Sequence, residues 1–290
     1  MLAYKHALLL LLLVLSGCVG TRNVETVADR LNERYLNRAS ECAGGLAAYH
    51  CSGVMIRGFE SLDLLWNPSE SELSRDTVPF SYVRADLGIT RLYPSIAGFI
   101  VNEFSLVNES TKGSGQPSEG YQLTVRCSFP YDGGTVSRAD GCGISTQEEG
   151  IPPGSSRPCG LQGINNAYDW LLHFKLLAAN HQPNSNCTFK ATVGDFLSSL
   201  QAHVLLGSLP DGQLGPYIET WNEVVLSAWP REVTRDLPIE AFYYSQGGSP
   251  IFARKAQQRF FAETGRLVPI VVVDLEQARP FTYQQKDQIR

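Results

Sequence analysis

The common signatures of catalysis are missing from this chain. No GxGxxG follows a strand-like segment, and there is neither a Walker loop nor a GxSxG turn, so Rossmann-type, P-loop and α/β-hydrolase chemistry have no sequence basis. There is no CxxC pair and no HExxH, so no metal is expected. The five histidines are scattered, and His6 falls in the leading segment. His173 lies beside an apolar helix face and reads as a packed side chain rather than a base or ligand. Basic residues form no stripe, and 24 of them face 29 acidic ones for a net charge of −5. A nucleic-acid partner would lack its electrostatic footprint. No internal repeat is present.

The first residues are informative. An unbroken apolar run from Ala7 to Leu15 follows Lys5 and His6. It is too short to span a bilayer as a helix but suits the core of a signal peptide. Leu15-Ser16-Gly17-Cys18 closes the run in the pattern of a bacterial lipobox, which predicts residues 1–17 as a lipoprotein signal and Cys18 as the lipidated N-terminus. Val19 rather than Asp after that cysteine favours the outer membrane. Membrane contact is then expected through the lipid anchor only, with the protein facing the periplasm or the surface, or secreted. Loss of Lys5 with the leader makes the charge balance one unit more negative.

Six cysteines remain: Cys42, Cys51, Cys127, Cys142, Cys159 and Cys187. An even count in an exported chain reads as three disulfides, and it leaves no spare thiol for a nucleophile. Sequence does not fix the pairing; short loops favour Cys42–Cys51, Cys127–Cys142 and Cys159–Cys187.

About 270 residues with abundant apolar side chains are enough for one domain with a sizeable core. The periodicity predicts a helix over 23–38, strands over 52–57, 78–84, 98–104 and 121–129, and helices over 164–180 and from Thr192 to Leu206. Further strands are expected over 221–227 and 237–245. Ser249-Pro250 opens a helix that Gly265 stops. The apolar run "LVPIVVVDL", 267–275, reads as a central buried strand. Gly- and Pro-rich stretches at 111–120 and 141–158 read as loops. The expected organisation is a linker and helix over 18–40, one catalytic domain over 41–279 carrying a disulfide-rich insertion at about 105–210, and a C-terminal tail over 280–290. Strands and helices mixed in this order give α+β.

Three polar residues on strands stand out: Arg57, Ser81 and Glu223. On pattern alone each has a plain structural explanation. Their order is more telling. A strand ending in Arg, a strand with an aromatic-Ser step and a strand running Glu-Val-Val-Leu resemble the ADP-ribosyltransferase fold, in which the Glu heads a β-hairpin. Here that hairpin would be "WNEVVLSAWPREVTRDLPIEAFYY". The blocks "LNERYLNRASECA", "CSGVMIRG", "LWNPSESELSRDTVPFSYVRAD", "RCSFPYDGGTVSRADGCG" and "PIEAFYY" resemble the halovibrins, exported bacterial proteins described as NAD glycohydrolases and ADP-ribosyltransferases.

The resemblance implies an ADP-ribosyltransferase-like mixed sheet and NAD as substrate. It implies that Glu223 stabilises an oxocarbenium-like state at the nicotinamide-bearing ribose. Arg57 would grip the pyrophosphate, and Ser81 would hold the carboxylate in place. Tyr82 or Trp221 would stack on the nicotinamide. Glu240, in "LPIEAF", is the alternative catalytic carboxylate. Arginine-modifying transferases usually carry Glu or Gln two residues before the catalytic Glu. Trp221 stands there in this chain, which favours water over a protein arginine as the acceptor, although a protein acceptor stays open. The interval between Ser81 and Glu223 is long for this fold and contains four of the six cysteines. The competing reading without catalysis is a disulfide-stabilised envelope lipoprotein that serves binding or structure.

Overall fold

The computed structural model describes residues 25–61, 63–92, 96–101, 123–132, 142, 158–183, 186–210, 221–230 and 237–288. The leader with Cys18, the loop over 111–120, most of that over 141–158 and the 231–236 turn lie outside these residues.

The described chain is α+β. A nine-stranded mixed sheet is flanked by helices and tied by three disulfides. The strands are β3 (Val54–Gly58), β4 (Val78–Val83), β5 (Ala97–Val101), β6 (Val125–Phe129), β7 (Phe189–Lys190), β8 (Glu223–Leu226), β9 (Ile239–Ser245), β10 (Ile270–Val273) and β11 (Phe281–Tyr283). Two shorter strands, β1 (Glu41–Cys42) and β2 (Leu46–Ala47), make a separate ribbon. The helices are α1 (Glu25–Leu36), α2 (Glu70–Arg75), α3 (Ala167–Ala179), α4 (Val193–Gly207) and α5 (Ile251–Thr264).

The order across the sheet is β11-β10-β9-β5-β3-β4-β8-β6-β7. Neighbours run antiparallel except β9 and β10, which are parallel. A parallel pair needs a crossover, and α5 supplies it. Gly265 ends α5 in the left-handed region at φ 71°, with its N–H donating to the Phe261 carbonyl. Three helix starts are capped by side chains: Asn166 accepts from the Asp169 N–H, Thr192 from the Asp195 N–H, and Ser69 with Glu72 forms a reciprocal capping box on α2.

Two apolar clusters pack between the sheet and the helices. Phe80, Phe99 and Phe242 share one face and pack with Trp66, Trp229 and Phe260 of α5. On the same face Tyr82 meets Phe196 of α4 edge-on. A second cluster lies between α3, α4 and β7, where Trp170 stacks on Phe174 near the Cys159–Cys187 disulfide. The 125–207 stretch thus adds two strands to the sheet as well as a disulfide-pinned helical layer.

Three expectations need correction. The 221–244 hairpin does not form: β8 pairs with β4 and β6, β9 pairs with β5 and β10, and three strands stand between them. Of the expected 280–290 tail, residues 280–288 are packed against the fold. Phe281–Tyr283 is the edge strand, and Asp287 is buried, accepting from the Tyr244 hydroxyl at 2.6 Å and bridging Arg254. With β11 outside it, the 267–275 run is second from the sheet edge, although β10 is wholly buried.

Three amide side chains close backbone ladders. Asn32 donates to the Phe281 carbonyl and accepts from its N–H. Gln288 does the same at Ile270, and Asn222 at Tyr82. Each satisfies two backbone groups that the sheet leaves open.

Candidate functional site

Arg57, Ser81 and Glu223 sit on β3, β4 and β8, which are consecutive in the sheet. Pro79 is the cross-strand partner of Val225, and Phe80 of Val224. Because side chains alternate along a strand, Ser81 and Glu223 emerge on the same face, one step beyond the last paired residues. There the Asn222 amide takes over the ladder, bonded to the Tyr82 N–H at 2.9 Å and the Tyr82 carbonyl at 3.0 Å. Both side chains are enclosed: Glu223 is 4 % exposed and Ser81 7 %. A carboxylate so buried is uncommon unless the structure gives it partners, and Glu223 has them. Phe129 is its cross-strand neighbour on β6.

Trp221 lies two residues before Glu223, the period of the pleat. Its indole N–H donates to Asp132 Oδ2 at 2.8 Å, and the Asp132 N–H returns to the Trp221 carbonyl at 3.3 Å. The indole ring is therefore held by a carboxylate.

Arg57 does not project with Ser81 and Glu223. Ile56 is the partner of Ser81, so Arg57 emerges on the opposite face, where its guanidinium lies 5.9 Å from the Phe80 ring centroid. It is buried, donates to the Pro79 carbonyl at 3.1 Å, and pairs with Glu60 at 2.9 Å and Glu72 at 2.8 Å. Burial and the neighbouring Glu72 carboxylate raise the Glu60 carboxyl above its ordinary value, and Arg57 partly offsets them. Gly98 is required here, since a Cβ on it would come within 1.9 Å of the Arg57 carbonyl.

Tyr82 is also on the opposite face from Glu223. It is fully buried, and its hydroxyl bonds to the Ser52 carbonyl at 2.9 Å. Burial raises its phenol above the usual range. It has no free face on which a nicotinamide could stack, so that expectation is withdrawn. Glu240 is on β9, four strands from Glu223, and Arg30 bonds its Oε1 twice, at 3.1 and 2.9 Å. At the spacing of neighbouring strands the two glutamates are roughly 19 Å apart.

The cysteines pair as Cys42–Cys51, Cys127–Cys142 and Cys159–Cys187, which points to an oxidising, exported environment. Among the described residues, no group of three or more His, Cys, Asp and Glu side chains is arranged to hold a metal ion, and no helix is long and apolar enough to cross a membrane.

Nothing in the local sequence marks Asn222 or Asp132. Asn222 alternates with two more conspicuous neighbours, and Asp132 sits in "FPYDGG", which reads as a turn. The chain matches no protein-family model and no curated protein.

Proposed function

We propose that this protein is an exported enzyme that cleaves NAD at the nicotinamide–ribose bond, with Glu223 as the catalytic carboxylate. The observation that carries the reading is the placement of a buried Glu223 and a buried Ser81 on one sheet face, on adjacent strands, next to the strand that bears Arg57. The order Arg, Ser, Glu along the chain becomes an order of neighbours across the mixed sheet.

Departure of nicotinamide leaves positive charge on the ribose. A fixed carboxylate stabilises that charge more in the transition state than in the ground state, and this difference lowers the barrier. Glu223 supplies it and binds the ribose 2′-hydroxyl. Ser81 restrains the carboxylate rotamer. Trp221, oriented by Asp132, offers an aromatic face to the cationic nicotinamide ring. Arg57 acts as a positioning residue: it ties β3 to the Pro79 carbonyl, two residues before Ser81, and anchors α2 through Glu72. A role for it on the pyrophosphate would require Glu60 to release it. Without a second carboxylate at Trp221, water is the favoured acceptor over a protein arginine. The lipobox reading adds an outer-membrane lipid anchor at Cys18.

The test incubates the mature, oxidised protein with NAD and follows free nicotinamide, with and without polyarginine. Nicotinamide release with free ADP-ribose is expected in both. ADP-ribose attached to polyarginine would overturn the assignment of water, and absence of nicotinamide would overturn the activity.

A further inference from the structure

A groove of ≈ 690 Å³ opens beyond the end of β4, between the chain after α1 and helices α3 and α4. It lies on the face of the sheet that carries Tyr82 and α4, away from Glu223 and Ser81. Its size falls within the range of small-ligand pockets, about 300–1,000 Å³.

The wall is apolar, formed by Leu87, Leu197, Leu200, Val204 and Leu205. The rim is polar, with Arg38, Ser40, Arg84, Asp86 and Gln201. Arg84 is fully engaged: it forks onto both Asp86 carboxylate oxygens, at 2.6 and 3.0 Å, and donates to the Ala39 carbonyl at 2.9 Å. That pair is self-neutralising. Among the described residues the Arg38, Ser40 and Gln201 side chains have no hydrogen-bond or ion-pair partner. At the rim, Arg38 is thus an exposed guanidinium with no ion-pair partner among the described residues, beside the neutral Ser40 and Gln201 side chains and a largely leucine wall. Tyr168 and Val204 extend the apolar surface to the mouth, where both are exposed.

One guanidinium matches one planar carboxylate through paired donors. A single guanidinium compensates one negative charge and leaves a second on the same ligand unpaired. The leucine wall requires an apolar body. We propose that this groove binds an apolar monocarboxylate, with its carboxylate on Arg38 and its hydrocarbon part along Leu200, Val204 and Leu205. The site is separate from the NAD-cleaving reading and does not depend on it.

The test is calorimetric titration of the mature protein with decanoate, decanol and decyl phosphate as probes. Saturable one-site binding of decanoate is expected, at least tenfold tighter than decanol, the size of a charge-assisted bond, and tighter than decyl phosphate. Arg38→Ala should weaken decanoate at least tenfold, with Arg38→Lys intermediate because it keeps the charge and loses the fork. Val204→Trp, at a position 41 % exposed where the fold has no need of the native side chain, should fill the groove and abolish binding. Absence of saturable decanoate binding, equal binding of decanol, or wild-type affinity in either Arg38→Ala or Val204→Trp would overturn the proposal.

Discussion

The Asn222 side-chain amide grips both backbone groups of Tyr82, and this contact seats Glu223 opposite Ser81. The β4–β8 ladder has its last paired residues at Phe80 and Val224. Past that point a side chain, rather than backbone pairing, keeps the strands in register.

Asn222→Ala should therefore act on stability and on the site together. It strands a buried N–H and a buried carbonyl, at a cost of about 1–3 kcal/mol each. In a chain of this size the melting temperature should fall by several degrees. Nicotinamide release should drop as well, although Asn222 touches no substrate. Scanning calorimetry and the nicotinamide assay check the two effects in parallel.

Glu72→Gln should destabilise the fold more than any surface ion-pair change. Glu72 and Arg57 are both buried, and removing one partner leaves a charge enclosed. The expected cost is about 3 kcal/mol, at the low end for such a break because Glu60 also pairs with Arg57. Urea unfolding measures it. For comparison, Arg259→Ala, which breaks an exposed pair with Glu263, should shift the midpoint little.

The disulfides should rank by loop length. Cys159–Cys187 closes 28 residues and Cys42–Cys51 closes 9. Loop-closure entropy gives about 3.5 kcal/mol for the longer and about 2.5 kcal/mol for the shorter. Paired Cys→Ser variants, compared by urea unfolding, should keep that order.

Acid should weaken the fold through His203. Its Nδ1 lies 2.7 Å from the Pro130 carbonyl. Burial pushes its pKa below the ordinary value, outweighing the Pro130 and Leu87 carbonyls, which favour the charged ring. Below about pH 6.5 the unfolded chain takes up the proton first. The stability contributed by neutral His203 is thus complete above that pH and is lost as pH falls towards the depressed folded value. Glu60 has the opposite sign. Its raised pKa means a contribution present below 4.5 and lost as pH rises through the folded value. Urea midpoints between pH 5 and 8 should fall on the acid side, and His203→Gln should flatten that slope while lowering stability throughout.

Much of the fold was legible in residues whose local chemistry decides their structure. Thr192 and Gly265 mark helix ends because an orphan N–H or a left-handed φ admits few side chains. β4 and β9 showed in their apolar, β-branched and aromatic content. Strand partnership did not show. β8 and β9 are successive in sequence, and a hairpin was the economical expectation, but β8 is inserted between β4 and β6. That choice depends on non-local pairing, which no stretch of ten residues encodes. Phe281 and Tyr283 are the two aromatics of a polar terminus, too short an alternation to announce β11. The site was legible as three residue types in order; the face each one takes was not. Arg57 turned away because the one-residue register relation of β3 to β4 puts Ile56, not Arg57, across from Ser81.

The most direct measurement compares nicotinamide release from NAD by wild type, Glu223→Gln and Glu240→Gln, each confirmed as folded and oxidised. Glu240→Gln should retain the wild-type rate, apart from whatever stability is lost with the Arg30 pair. Glu223→Gln keeps the shape of the side chain and removes its charge, and the rate should fall by roughly a thousandfold, the scale of a lost electrostatic stabiliser. Equal rates for Glu223→Gln and wild type, or loss of activity in Glu240→Gln alone, would contradict the assignment of Glu223.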